Sequence, residues 1–244
     1  MPKQRTFYEA YDITEKEVIL IRPNLSKKQL AFVQYFLDAL GAKDPYTQKH
    51  SYHVTKISEA IFQLLPADVG RKLHKEKLLT AALLHDIGKL NVPLDILNKP
   101  GRLTEEEWLV MYAHPRDGKA FLHGTMFEDI GDWILYHHER IDGHGYYGVT
   151  EKDIPLESRI IAIADTFSAL RTHRVYRPAI SLEKAIDLLK KMAGTQLDSD
   201  MVTRFLSLDK TALTKLDCNC PVCITQENPI ADITSGIFSP QPRL

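Results

Sequence analysis

Residues 77–89 read KLLTAALLHDIGK. Leu78, Leu79, Ala81, Ala82, Leu83 and Leu84 fall on nearly every side of a helix predicted over Lys77–Leu90, the pattern of a helix enclosed in the middle of a bundle. That helix carries a histidine and a carboxylate near its end. A buried Asp86 is costly to ionise without a compensating cation, and a divalent metal removes the conflict. The stretch therefore predicts an all-α bundle with a metal centre in its core.

The rest of the chain agrees with a bundle. Ser26 is placed to cap a helix through Leu30, Val33, Phe36, Leu37 and Leu40, with Gly41 set to end it. Glu17–Arg22 reads as a short strand closed by Pro23. Thr104 and Glu107 form a capping-box pattern, so a helix carrying Trp108 begins near Glu105 and Pro115 marks its end. A further helix is expected to carry Trp133, Ile134, His137 and His138, and another runs from about Leu156 with Ile160, Ile163, Phe167 and Leu170 on one face. Between them, Asp142–Tyr146 is a glycine-rich loop. Ser181 caps a helix with Leu182, Ala185, Ile186, Leu189 and Met192 inward, and 200–206 gives a last short one. Periodicity then fades. The expected organisation is an N-terminal extension with one helix (1–43), a helical domain (44–209) and an irregular tail (210–244).

Composition narrows the function classes. The 244 residues are 44% hydrophobic, enough for a substantial core. The 31 basic and 32 acidic side chains nearly cancel, which argues against a nucleic-acid polymer or an anionic membrane as partner. No apolar run approaches the roughly 18 residues that span a bilayer, and the N-terminus lacks the apolar core of a signal peptide. A cytoplasmic protein without a membrane partner is expected. The three cysteines, Cys218, Cys220 and Cys223, form C-x-C-x-x-C, one thiolate short of a closed zinc site; the alternative is reduced thiols in a disordered tail.

His50 on an earlier helix and Asp165 on the Phe167 helix supply two further candidate ligands beside His85 and Asp86, since bundles build metal sites from inward side chains of several helices. His114, His137 and His138 read as a second imidazole cluster. Adjacent residues on a helix point about 100° apart, so the His137–His138 pair either meets one ion across a helix end or divides between two. Imidazoles with carboxylates and no thiolate suit iron, manganese, zinc or nickel rather than calcium or magnesium.

His85-Asp-Ile-Gly-Lys89, Asn98-Lys-Pro-Gly101, His114-Pro115, His137-His-Glu-Arg-Ile-Asp-Gly-His-Gly-Tyr146 and Ile163-Ala-Asp-Thr-Phe167 together resemble the HD-GYP branch of the HD phosphohydrolase superfamily, over about residues 44–206. The resemblance implies an all-α domain that hydrolyses cyclic di-GMP to the linear dinucleotide and onward to GMP, with a centre of two or three divalent metals, iron or manganese first among them. It implies that His50, His85, Asp86 and Asp165 hold one ion and His114, His137 and His138 a second. Asp86 would bridge them, and a hydroxide between the ions would attack phosphorus. Lys89, together with Arg174 and Arg177, would bind phosphate oxygens, and Tyr146 would stack on a guanine.

Four positions depart from the family pattern. Tyr147 stands where the proline of GYP is usual, Ser168 replaces an aspartate, His173 stands at another aspartate position, and Tyr46 occupies the place of a glutamate that supplies a third metal. Two ions are therefore expected. The departures leave two alternatives: a weakly catalytic cyclic-dinucleotide receptor that signals through a protein partner, or an HD hydrolase acting on another nucleotide.

Overall fold

The computed structural model describes residues 25–172 and 179–217. The expected strand 17–22, the segment carrying His173, Arg174 and Arg177, and the three cysteines lie outside the described residues. Among the described residues the regular elements are all helices, and the only β-bridge, Ala193–Leu197, joins two loop residues. None of these helices is long and apolar enough to cross a membrane.

Helix α1 (Lys27–Lys43) starts at Ser26, whose hydroxyl accepts from Gln29 N while the Gln29 side chain accepts from Ser26 N. Gly41 does not end it. A Cβ there would stand 2.6 Å from the Gln48 side chain, so the glycine makes room for the neighbouring helix instead. The chain turns at Asp44, which closes α1 through its N–H and caps α2 (Pro45–Gln63) by accepting from Tyr46 N and Thr47 N. One residue thus serves both helices, and α1 packs on α2 rather than standing apart. Val33, Leu37 and Leu40 of α1 are fully buried, each such side chain contributing about 1.5–3 kcal/mol.

After the short α3 (Ala67–Gly70), α4 runs Lys75–Leu84 and not to Leu90. Its last turn gives way to His85 and Asp86, then to a 3-10 turn over Ile87–Asn91. The helix is buried on all sides, as its sequence predicts. Past α5 (Leu94–Leu97), α6 (Glu105–Tyr112) has the expected Thr104–Glu107 capping box. Pro115 does not end that helix; it sits in the first turn of α7 (His114–Leu122), where proline's missing N–H leaves no bond unmade.

Helix α8 (Gly131–Leu135) is a single short element, and His137 and His138 lie in the turn beyond it. Helix α9 (Leu156–Arg171) buries Ile160, Ile163, Phe167 and Leu170, and α10 (Leu182–Met192) starts at Ser181 as expected. Helix α11 (Ser199–Phe205) brings Phe205 edge-on to Phe167 at 5.0 Å. At the start of the segment expected to be an irregular tail, α12 (Lys210–Leu216) follows, capped by Asp209 and anchored by buried Leu213, and the rest of that segment lies outside the described residues. Seven residues are too few for a helical period to stand out.

The core is organised around α2, which packs on α1, α4, α9, α11 and α12. The 3-10 turn after α4 lies against α7, and α8 closes the gap between α7, α4 and α9. The ends of α4 and α8, the start of α7 and the inner faces of α2 and α9 therefore meet.

Candidate metal centre

That meeting point holds the seven candidate metal ligands. Three groups have ligand atoms that all lie within 4.8 Å of one another: His114, His137 and His138; His50, His85 and Asp165; His85, Asp86 and His137. His85 and His137 are shared or adjacent between groups, and Asp86 stands at the junction. Its Oδ2 is 3.4 Å from His85 Nε2 and its Oδ1 is 3.3 Å from His114 Nε2.

The backbone aims these side chains. His85, His114 and His137 each place Nδ1 at a carbonyl three residues earlier: Ala82 O at 2.7 Å, Met111 O at 2.7 Å and Ile134 O at 2.6 Å. A carbonyl only accepts, so Nδ1 carries the proton and Nε2 is left with a lone pair. Those three Nε2 atoms and Asp86 Oδ1 are buried without a hydrogen-bond partner. Four orphaned acceptors converging on one cavity are expensive to desolvate, and divalent cations satisfy all of them. The residues present thus fit a metal centre of nitrogen and oxygen donors, the chemistry of iron, manganese, zinc or nickel.

The turn beyond α8 lets adjacent histidines reach the same cavity. Their ring centroids are 4.0 Å apart and each lies near His114, at 5.4 and 5.1 Å. Close approach of α7 depends on Gly88: a Cβ there would fall 1.8 Å from His114 O and 2.6 Å from Gly118 N. The glycine of HDIGK is what allows Asp86 and His114 to face one another.

The electrostatics favour charged carboxylates and, at His50, His137 and His138, neutral imidazoles. Burial would raise the pKa of Asp86, but Lys89 and His85 hold it well below the carboxylate range. Asp165 is likewise held low against burial by His50. Burial, reinforced by neighbouring imidazoles, pushes His137 well down and His138 to about 3. His50 is also lowered by burial, against the pull of Asp165 at 2.8 Å. His85 alone moves up, because Asp86 outweighs its burial.

Lys89 follows Asp86 by one 3-10 turn and donates to Asp86 Oδ2 at 2.6 Å, its side chain partly open to solvent. Tyr146 lies over the cavity. One face stacks on Tyr112 with centroids 4.0 Å apart, and His138 is 4.7 Å away. Tyr46 stacks on His50 and reaches Thr172 Oγ1 at 3.0 Å, so no third carboxylate is present at that position.

Sequence reasoning missed two contributors. Glu139 is a charged residue directly followed by Arg140, yet it is only 5% exposed. Its Oε1 accepts from Tyr147 N at 2.6 Å and its Oε2 from Val149 N at 2.9 Å, holding the glycine-rich loop from beneath. Gly145 permits this, since a Cβ would meet Glu139 Cα at 2.5 Å. Tyr112 was the other, and no local pattern distinguishes it from the core face of α6.

Short helix ends that aim imidazoles and carboxylates into one buried cavity define an all-helical domain fitted to hold metal ions. A family model described as the HD domain matches residues 30–201. The chain belongs to the HD domain family. It is 37% identical over 176 residues to the 3'3'-cGAMP-specific phosphodiesterase 3 of Vibrio cholerae, an alignment covering 70% of this chain and 38% of that protein. It is 45% identical over 130 residues to the cyclic di-GMP phosphodiesterase response regulator RpfG of Xanthomonas campestris, covering 52% and 34% respectively. The chain therefore spans well under half the length of these curated relatives. Among solved structures, Bd1817, an HDG"Y"P protein from Bdellovibrio bacteriovorus, superposes with a TM-score of 0.50 at 20% identity, over 65% of this chain and 51% of that one.

Proposed function

We propose that this chain is a metal-dependent phosphodiesterase that hydrolyses cyclic di-GMP to the linear dinucleotide. The observation that carries the reading is the set of four buried, unpartnered acceptor atoms, on His85, His114, His137 and Asp86, around one cavity. His50, His85, Asp86 and Asp165 would hold one divalent cation and His114, His137 and His138 a second, with Asp86 common to both. When bound, such a pair lowers the pKa of water to give a nucleophile at neutral pH and offsets charge on phosphoryl oxygens.

The protein's own residues do the rest. Asp86, kept ionised at the junction, orients the attacking water. Lys89 exchanges part of its contact with Asp86 for a non-bridging phosphate oxygen, and being on a flexible stem it can follow charge as it develops. Tyr146, backed by Tyr112, forms an apolar wall against which a base can lie. Arg174 and Arg177 are proposed phosphate ligands from the family resemblance alone.

Relatives named for cyclic di-GMP and for 3'3'-cGAMP both support the substrate class. The test is anaerobic loading of the purified chain with iron or manganese, followed by product analysis on both dinucleotides. Linear product from cyclic di-GMP is expected. Preference for 3'3'-cGAMP would overturn the finer assignment only, and tight binding without product would replace the enzyme by a receptor.

A further inference from the structure

His50 is aimed differently from the other imidazoles, and the chain of contacts behind it leads to the end of α12. His53 Nε2 is 2.6 Å from Leu216 O, which can only accept, so Nε2 holds a proton. In neutral His53, Nδ1 is then an acceptor, and it lies 2.8 Å from Ser168 Oγ. The Ser168 hydroxyl proton is committed to it. Ser168 Oγ in turn faces His50 Nδ1 at 2.9 Å and serves as acceptor there. The His50 proton is therefore on Nδ1, and its Nε2 lone pair points at Asp165 Oδ1, 2.8 Å away. Two acceptors at that distance repel unless a proton or a cation lies between them.

His50, His53 and Ser168 are all buried, so water offers no competing route for these protons. The Leu216 end of the chain is clamped. Lys56 Nζ donates to Lys215 O at 2.6 Å, and the Arg171 guanidinium forks onto Asp217 at 2.8 and 2.7 Å. Lys56 belongs to α2 and Arg171 to α9, the helices that carry His50 and Asp165. Ser168, which the sequence presents as the loss of a carboxylate, is thus the joint between two imidazoles.

We propose that His53 and Ser168 are positioning residues whose ordered hydrogen bonds, anchored on the Leu216 carbonyl, make His50 Nε2 a metal-ligand atom. Docking of α12 then sets the affinity of the cation beside Asp165. The inference rests on the two-cation reading above. Its sign is clear from the geometry: if Ser168 donated to His50 instead, the His50 proton would move to Nε2 and the ligand atom would be lost.

The test uses the full chain and zinc as a diamagnetic probe, with stepwise affinities measured by chelator competition. Ser168→Ala is expected to weaken one of two zinc-binding steps by about 10- to 100-fold, the range for an outer partner of a metal-bound imidazole. The other step should stay unchanged. In zinc-loaded protein labelled with nitrogen-15 histidine, the slowly exchanging His50 Nδ1–H resonance of the wild type should be lost in Ser168→Ala.

His53→Gln provides a second variant, since its amide can still donate to Leu216 O but no imidazole Nδ1 remains to accept from Ser168. It is expected to weaken the same step, and Asp217→Ala, which loosens the clamp, to do so less. Unchanged affinities in Ser168→Ala, or equal weakening of both steps, would overturn the relay while leaving the metal centre standing. A wild-type chain that takes up no zinc would overturn the centre and the relay together.

Discussion

The two sides of the cavity aim their imidazoles by different means. On one side His85, His114 and His137 are each pinned by a carbonyl three residues earlier, so the turn that carries the ligand also orients it. On the other, His50 is oriented by Ser168, 118 residues away, and through His53 by Leu216, 163 residues from it in sequence. The first arrangement forms as soon as the helix ends form. The second exists only after α2, α9 and α12 have assembled, so it registers the state of distant parts of the chain.

The largest effect should come from breaking the locally built side where its two walls touch. Gly88→Ala puts a methyl 1.8 Å from His114 O and 2.6 Å from Gly118 N, both backbone atoms that no rotamer change can move. The 3-10 turn and α7 must separate, at a cost of more than about 3 kcal/mol. Thermal unfolding should show Tm lowered by at least about 6 °C or no cooperative transition at all. An unchanged Tm would mean that the close approach is not what builds this wall.

Asp86→Asn comes next, because it tests whether the two sides share a ligand. With contacts to His85 and His114 on opposite oxygens, Asp86 belongs to both. Bound metal should fall on both sides, and hydrolysis by more than about 100-fold, beyond the loss typical of an outer partner. Loss confined to one metal-binding step would show that the sides are independent.

The same contrast explains what was legible in the sequence. Helices α1, α6 and α10 could be read because their caps are local, and α9 because its apolar stripe is, while the seven candidate ligands could be picked out because most of them sit in short contiguous motifs. The boundaries at the site could not. The apolar run through Leu84 gives no sign that the helix stops before His85, and the histidine pair reads as helical because nothing near Leu135 announces a turn. Both stops are imposed by packing, the first where Gly88 meets α7. Glu139 was hidden for a related reason: its partners are backbone amides of residues eight and ten positions on, which no side-chain pattern reveals. The role of Ser168 depends on three helices and has no local signature.

Lys89→Ala sharpens the comparison from the substrate side. Lys89 contacts Asp86, and its ammonium group has no lone pair to offer a metal ion. Metal content should stay near the wild-type level while hydrolysis falls about 10- to 100-fold, the equivalent of one charge-assisted hydrogen bond. If metal is lost along with activity, the chief service of Lys89 is to neutralise Asp86.

The smallest effect concerns the loop that closes the cavity, where Tyr147 stands in place of a proline. Absence of proline suggests a looser loop, but the structure replaces ring stiffness with a bond that proline lacks the hydrogen to make. Tyr147 N–H donates to Glu139 Oε1 at 2.6 Å, while its ring meets Tyr112 and Tyr136 edge-on at 6.1 and 6.3 Å. Tyr147→Pro therefore loses a hydrogen bond to a carboxylate worth about 1.5–3 kcal/mol, offset by about 0.4–1 kcal/mol from a stiffer unfolded chain. A net loss near 1–2 kcal/mol, read as a lower Tm with metal content intact, is expected. Tyr147→Ala keeps the amide and removes the ring, so it should cost less than the proline variant. If alanine costs as much or more, the aromatic contacts rather than the Glu139 anchor hold this loop, and the motif's second tyrosine is a packing residue after all.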